Sequence, residues 1–107
     1  MINREKHTHV VDADGIILES DLRASKSIVK QELVGTCIDE YLEPRDIIHY
    51  MHCLRSAIKH DVEYCKYTIR KHDLLCRMER MSSYRVRVIE VDVTGMDQRL
   101  DDVLKLF

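Results

Sequence analysis

The chain predicts an α+β fold: a five-stranded antiparallel sheet with short helices and one long helix packed on one face. Three observations predict it. The stretch from Glu43 to His60 carries a long helical period, with Ile47, Met51, Leu54 and Ile58 at i, i+4, i+7 and i+11, so these four share one side. The segment from Val62 to Val93 alternates apolar and polar residues, which is the period of a strand. Near the N-terminus, two apolar runs flank Ala13-Asp14-Gly15, and Asp-Gly supplies the positive φ angles of a tight hairpin. One long helix followed by consecutive strands buries its apolar side best by lying across a sheet.

At 107 residues the chain suffices for one domain, 1–107, with a single modest core. Its formal net charge of −2 and scattered Lys and Arg give no basic patch to attract a nucleic-acid backbone, so no direct nucleic-acid contact is expected. No apolar run approaches the roughly 20 residues of a membrane helix, and no membrane contact is expected. Met1 to His7 has no apolar core of the kind a secretory signal needs. An intracellular location is expected. The four cysteines, Cys37, Cys53, Cys65 and Cys76, are far apart and form no Cys-x-x-Cys pair. Reduced, mostly buried thiols are the expectation. With three glycines and one proline the chain has no low-complexity linker, and it reads as a piece cut from a longer protein.

The elements follow in order. His7 to Asp12 is a strand, Ala13-Asp14-Gly15 its turn, and Ile16 to Ser20 the returning strand. Asp21 to Val29 is polar with scattered apolar residues and suits one or two short helical turns. Gln31 to Gly35 ends in a glycine suited to a helix C-cap, and Asp39 to Leu42 is another turn. The long helix then begins with Pro44 in its first turn, where a missing N–H costs nothing. Glu43 and Asp46 put negative charge at the positive end of its dipole, and Lys59 and His60 sit at the other end. Val62 to Lys71 is a strand with Cys65, Tyr67 and Ile69 on one side. His72-Asp73 is the expected turn. Leu74 to Met81 is the next strand, with Leu74, Cys76 and Met78 on its more apolar side. Ser82-Ser83 leads into the last strand, Tyr84 to Val93. Thr94 can cap a final helix with Asp97, on which Leu100, Val103, Leu104 and Phe107 make a stripe.

Several of these stretches resemble the PAS domain family. Val10-Val11-Asp12-Ala13-Asp14-Gly15-Ile16-Ile17 resembles its opening hairpin. Glu32-Leu33-Val34-Gly35-Thr36 resembles its E-L-hydrophobic-G element. Tyr41-Leu42-Glu43-Pro44-Arg45-Asp46-Ile47 is similar to its approach to the long helix. Tyr67 to Asp73 resembles the strand and turn that follow, and Asp92-Val93-Thr94 the D-x-T end of many signalling PAS domains. Five such stretches, in the family's order, cover residues 7–94, with 97–107 left as a cover or linker. The wording from Glu32 to Lys71 is most like the second PAS repeat of bHLH-PAS transcription factors. Two departures pull the other way: His72-Asp73-Leu74 replaces the usual turn glycine, and the loop at Ser82-Ser83 is shorter than is common there, with Asp92-Val93-Thr94 more typical of sensor PAS domains. The resemblance implies a PAS fold and a non-catalytic signalling module that pairs with a protein partner as a PAS–PAS homo- or heterodimer. In a transcription factor it implies the nucleus, otherwise the cytoplasm. The alternative it implies is a ligand- or haem-sensing domain of a protein such as a kinase.

The candidate chemistry is thin. Cys37 stands near the reactive cysteine of flavin-binding PAS domains, but one place early and without the Asn, Arg and Gln that hold flavin there. His49, His52 and Cys53 lie at i, i+3 and i+4, a spacing that can offer ligands to a metal or haem iron. The apolar stripe places His49 on the side away from the core, with His52 and Cys53 near its edges. No cofactor and no metal are therefore expected. His7 and His9 share one side of a strand and read as packed or solvated. No Ser/His/Asp order, phosphate loop or His-Glu-x-x-His is present, so no catalytic residues are assigned and an enzyme is not expected.

The sheet itself carries the strongest signal. In the last strand Val86 and Val88 lie on one side, and Ile89, Val91 and Val93 on the other. The first hairpin sets Val10 beside Val11 and Ile17. A half-exposed sheet alternates cleanly, so both sides here need a cover. One packs on the helices, and the other is met by Asp97–Phe107 or by a partner. The expected partner-binding set is Val10, Val11, Ile17, Val88, Ile89, Val91 and Val93.

Overall fold

The computed structural model of the chain describes residues 6–21, 33–96, 105 and 107. Strands β1 (Lys6–Asp12) and β2 (Ile17–Ser20) open it. The Asp12 carboxylate accepts from the N–H groups of Asp14 and Ile16, which fixes the turn between them. Gly15 takes φ +86°. A Cβ there would stand 3.1 Å from Ile38 Cγ2 and 3.3 Å from Met51 Sδ, so both the backbone angle and the close approach call for glycine. A 3-10 turn, Ile38–Glu40, leads to helix α1 (Pro44–His60). Strands β3 (Val62–Ile69), β4 (His72–Arg80) and β5 (Arg85–Asp92) follow.

The five strands form one sheet in the order β2-β1-β5-β4-β3, with every neighbouring pair antiparallel. The last strand in sequence is therefore the central one, between β1 and β4. A register shift between Val10 and Val11, where β1 meets β2, leaves Ile17 opposite Val11 and Glu19 opposite Val10. Such a bulge tightens the local twist without moving Val11 off its side.

Helix α1 lies across one face, chiefly over β3. Its deepest residues are Tyr50, Cys53, Leu54 and Ala57. Of the expected stripe only Leu54 is among them; Ile47, Met51 and Ile58 are partly buried at the margins of the core. The aliphatic count misplaced the contact line because a ring, a thiol and a methyl group also fill it. Cys53, expected near an edge, is 5% exposed. The start of the helix is tied down across the fold, since the Asp46 carboxylate accepts from the Thr68 N–H at 3.0 Å.

The hairpin from β3 to β4 turns at Arg70-Lys71, not at His72-Asp73. Arg70 (φ +47°) and Lys71 (φ +69°) both take positive angles, and Ile69 pairs with His72. That is the two-residue turn that matches strand twist, made here without glycine. His72 thereby becomes the first residue of β4. The helical turns expected within Asp21–Val29, the segment ahead of Gly35 and the Asp97–Phe107 helix with Leu100, Val103 and Leu104 fall outside the described residues, Asp21, Leu33, Val34, Lys105 and Phe107 apart. Among the described residues no helix is long and apolar enough to cross a membrane.

Candidate functional site

The register decides which row of β5 is core. Val88 pairs with His9 and Met78, Val86 with Val11, and Glu90 with His7 and Cys76. Val86 and Val88 belong to the core cluster beneath α1, together with Val11 and Ile17. Of the expected partner-binding set, the structure thus places Val11, Ile17 and Val88 inside the core. Val10, Ile89, Val91 and Val93 alternate to the opposite face.

The same core row brings Glu90 under the helix, at 3% exposure. A buried carboxylate is costly unless charged or hydrogen-bonding partners meet it. Here His9 Nε2 lies 2.9 Å from Glu90 Oε1, and the Tyr67 hydroxyl donates to Oε2. His9 Nδ1 meets the Ser20 hydroxyl at 2.9 Å. Four strands are joined this way: β1 supplies His9, β2 Ser20, β3 Tyr67 and β5 Glu90. The Tyr50 ring of α1 stands edge-on to Tyr67, with centroids 5.1 Å apart, a favoured aromatic geometry. Burial raises the Glu90 carboxyl, but the hydrogen bond and charge of His9, the Tyr67 hydroxyl and the charge of His7 more than offset it and hold it below its ordinary value. Burial and then the Glu90 charge push the Tyr67 hydroxyl well up, which keeps it a donor. His7 Nδ1 is buried without a hydrogen-bond partner among the described residues.

Sequence reasoning gave Glu90 and Tyr67 no polar role and left His7 and His9 as packed or solvated. The available signal was a lone carboxylate continuing the Val86 and Val88 row.

The fold that carries this centre has solved counterparts. The PAS-B domain of Cycle from Drosophila melanogaster, in a structure with bound glycerol, superposes with a TM-score of 0.65 at 18% identity, covering 79% of this chain and 98% of that one. A domain of an HTR-like protein from Haloarcula marismortui gives 0.67 at 11% identity, covering 82% and 97%. The PAS domain of an HTR-like protein from the same organism gives 0.57 at 19%, covering 82% and 81%. The chain has the PAS fold. No protein-family model and no curated protein matches the sequence.

On this PAS scaffold the haem candidates His49 and His52 are both exposed on α1. Cys37 is half-buried beside the opening turn, its thiol 3.7 Å from the Asp14 carbonyl oxygen. All four cysteines are free thiols. The set suggested by spacing, His49, His52 and Cys53, is not the set the fold assembles. Cys65, on β3 beneath the helix, joins His49 and Cys53 instead. Burial, with Cys65 adjacent, pushes the Cys53 thiol up to about 12. A hydrogen bond with Cys76 and burial push Cys65 higher still.

The outer face of the PAS sheet carries Val10, Ile89, Val91 and Val93. Val10, Val91 and Val93 are buried there and Ile89 is half-buried. Tyr64 and Val62 are exposed on the same side of β3. The Phe107 ring lies edge-on to Tyr64, with centroids 5.9 Å apart, so the last residue reaches this face.

Proposed function

We propose that the chain is a non-catalytic PAS signalling and interaction module that pairs, through the outer face of its sheet, with a second PAS domain, its own copy or another protein's. The observation that carries the reading is exposed Tyr64 and Val62 beside half-buried Ile89 on the outer face, where Val10, Val91 and Val93 are already buried within the chain. Apolar area on a face the helix does not cover is the mark of a contact surface. The resemblance to the second PAS repeat of bHLH-PAS factors, and the likeness to a PAS-B domain, support a parent that is a transcription regulator. The reading implies the nucleus, with DNA contact made by other parts of that parent.

The test is a pair of substitutions on adjacent residues. Val88→Glu places a charge in the core and unfolds the domain, read by circular dichroism. Ile89→Glu keeps the fold and loses self-association or bound PAS partner, read by sedimentation. If both unfold, Ile89 belongs to the part of the outer face that the chain itself buries, and the interaction reading fails. If Ile89→Glu associates as the wild type does, that face is not the contact.

A second reading, a small-molecule or haem sensor, is favoured by His7 Nδ1 beside the Glu90 centre, a buried polar atom without a hydrogen-bond partner among the described residues that suits a polar ligand. The likeness to the haloarchaeal HTR-like domains fits it. An absorption spectrum of the purified protein separates the cofactor-bearing form. A Soret or flavin band supports the sensor, and a featureless visible region removes haem and flavin.

A further inference from the structure

We propose that His49, Cys53 and Cys65 form a binding site for a thiophilic cation of the zinc class, joining helix α1 to strand β3. The ligand atoms of the three residues all lie within 4.8 Å of one another. His49 Nε2 is 3.7 Å from Cys53 Sγ. A tetrahedral zinc, with bonds of about 2.3 Å to sulfur and about 2.0 Å to nitrogen, holds its donors about 3.5–3.8 Å apart. The His49–Cys53 pair already has that spacing. The widest separation in the cluster exceeds it by about 1 Å at most, which a small turn of one thiol closes.

The donor set also selects the cation. One imidazole and two thiols favour zinc and its soft neighbours, while magnesium and calcium prefer oxygen. The placement is rigid: His49 and Cys53 are one helical turn apart on the same side of α1, and Cys65 sits in a core strand. Ligands on regular elements hold a metal geometry better than ligands on loops. Cys53 and Cys65 are buried while His49 is exposed, so the cluster opens to solvent at the histidine. The fourth position is left there for water or an exogenous ligand.

Binding is balanced in charge. The cation displaces one proton from each thiol, and both protons leave to solvent as two metal–sulfur bonds form. Neutral His49 gives the lone pair of Nε2. A divalent cation with two thiolates is neutral overall, which suits a half-buried position. Neither the PAS pairing surface nor the Glu90 centre takes part, so the site stands or falls independently of both.

Cobalt(II) titration of the full, reduced, metal-free chain tests the proposal. One equivalent produces a thiolate-to-cobalt charge-transfer band and visible bands of tetrahedral intensity, and zinc displaces both. His49→Ala, a surface change that leaves the fold intact, lowers zinc affinity by about tenfold or more. Cys53→Ser weakens the charge-transfer band. His52→Ala and Cys37→Ser leave binding unchanged, because neither residue belongs to the cluster. The proposal is overturned if stoichiometric cobalt gives no charge-transfer band. It is equally overturned if the band is unaltered in His49→Ala, or lost in His52→Ala or Cys37→Ser.

Discussion

Two histidine–carboxylate pairs stand two residues apart on strand β5, and they contrast. Glu90 and His9 meet at 2.9 Å with side chains 3% and 6% exposed, whereas Asp92 and His72 meet at 2.7 Å with side chains 36% and 43% exposed. The shorter pair is the weaker one. In water an ion pair gains little over its hydrated partners. Under the helix, each member that loses its partner is left in a medium that cannot replace it. Depth, not distance, ranks the two. Asp92 also differs in its neighbours, since it accepts from both the N–H and the hydroxyl of Thr94, groups at the end of the strand that water reaches.

The contrast is broken most directly at His9. His9→Ala leaves the Glu90 carboxylate with the Tyr67 hydroxyl alone, and is expected to cost about 3–5 kcal/mol in urea denaturation. Adding Glu90→Gln to it should return part of that loss. A double variant as unstable as the sum of the two singles would show that the residues do not act as a pair.

Tyr67→Phe keeps the ring against Tyr50 and removes only the donor to Glu90. The expected loss is about 1.5–3 kcal/mol, the range for a hydrogen bond to a charged group. An unchanged denaturation midpoint would leave His9 as the sole support of the carboxylate.

Acid titration sharpens the comparison further. The folded value of Glu90 is held below its ordinary one, so its contribution is present above the ordinary glutamate range. It is lost as pH falls from that range through the folded value. Glu90→Gln should therefore flatten the acid limb of a stability-against-pH curve. A slope equal to that of the wild type would mean that Glu90 is not ionised in the fold. Asp92 is also held low: burial raises it, and Thr94 and His72 more than offset that. The same direction applies, but solvent screens the pair and its share of the slope is small.

The smallest effect is expected at the exposed pair. Asp92→Asn keeps an oxygen for Thr94 and loses the charge facing His72, so stability should move by about 1 kcal/mol or less. A larger loss would mean that the end of β5 is less open to water than its exposure indicates.

The long helix, the strand hairpins and the inward sides of β3 and β4 were legible in the sequence because they rest on local periods. Pro44 to His60 carries a helical repeat without a breaker. Cys65, Tyr67 and Ile69 face Leu74 and Cys76 on the inward side by strict alternation. The five family-like stretches gave the PAS resemblance, and the fold agrees with it. The Arg70-Lys71 turn was missed because nothing in two basic residues announces positive φ. The contact line of α1 was missed because Tyr50, Cys53 and Ala57 do not count as aliphatic.

Other features belong to the tertiary structure alone. A period of two says that Val88 and Ile89 point apart, but not which of them meets the helix; the register of β5 between β1 and β4 decides that. His9, Tyr67 and Glu90 are separated by dozens of residues, and only the order β2-β1-β5-β4-β3 makes them neighbours. Cys65 joins His49 and Cys53 for the same reason, since α1 crosses β3 at that point. Sequence spacing fixes which residues share a side of one element. Contacts between elements depend on register and crossing, which the whole chain sets together.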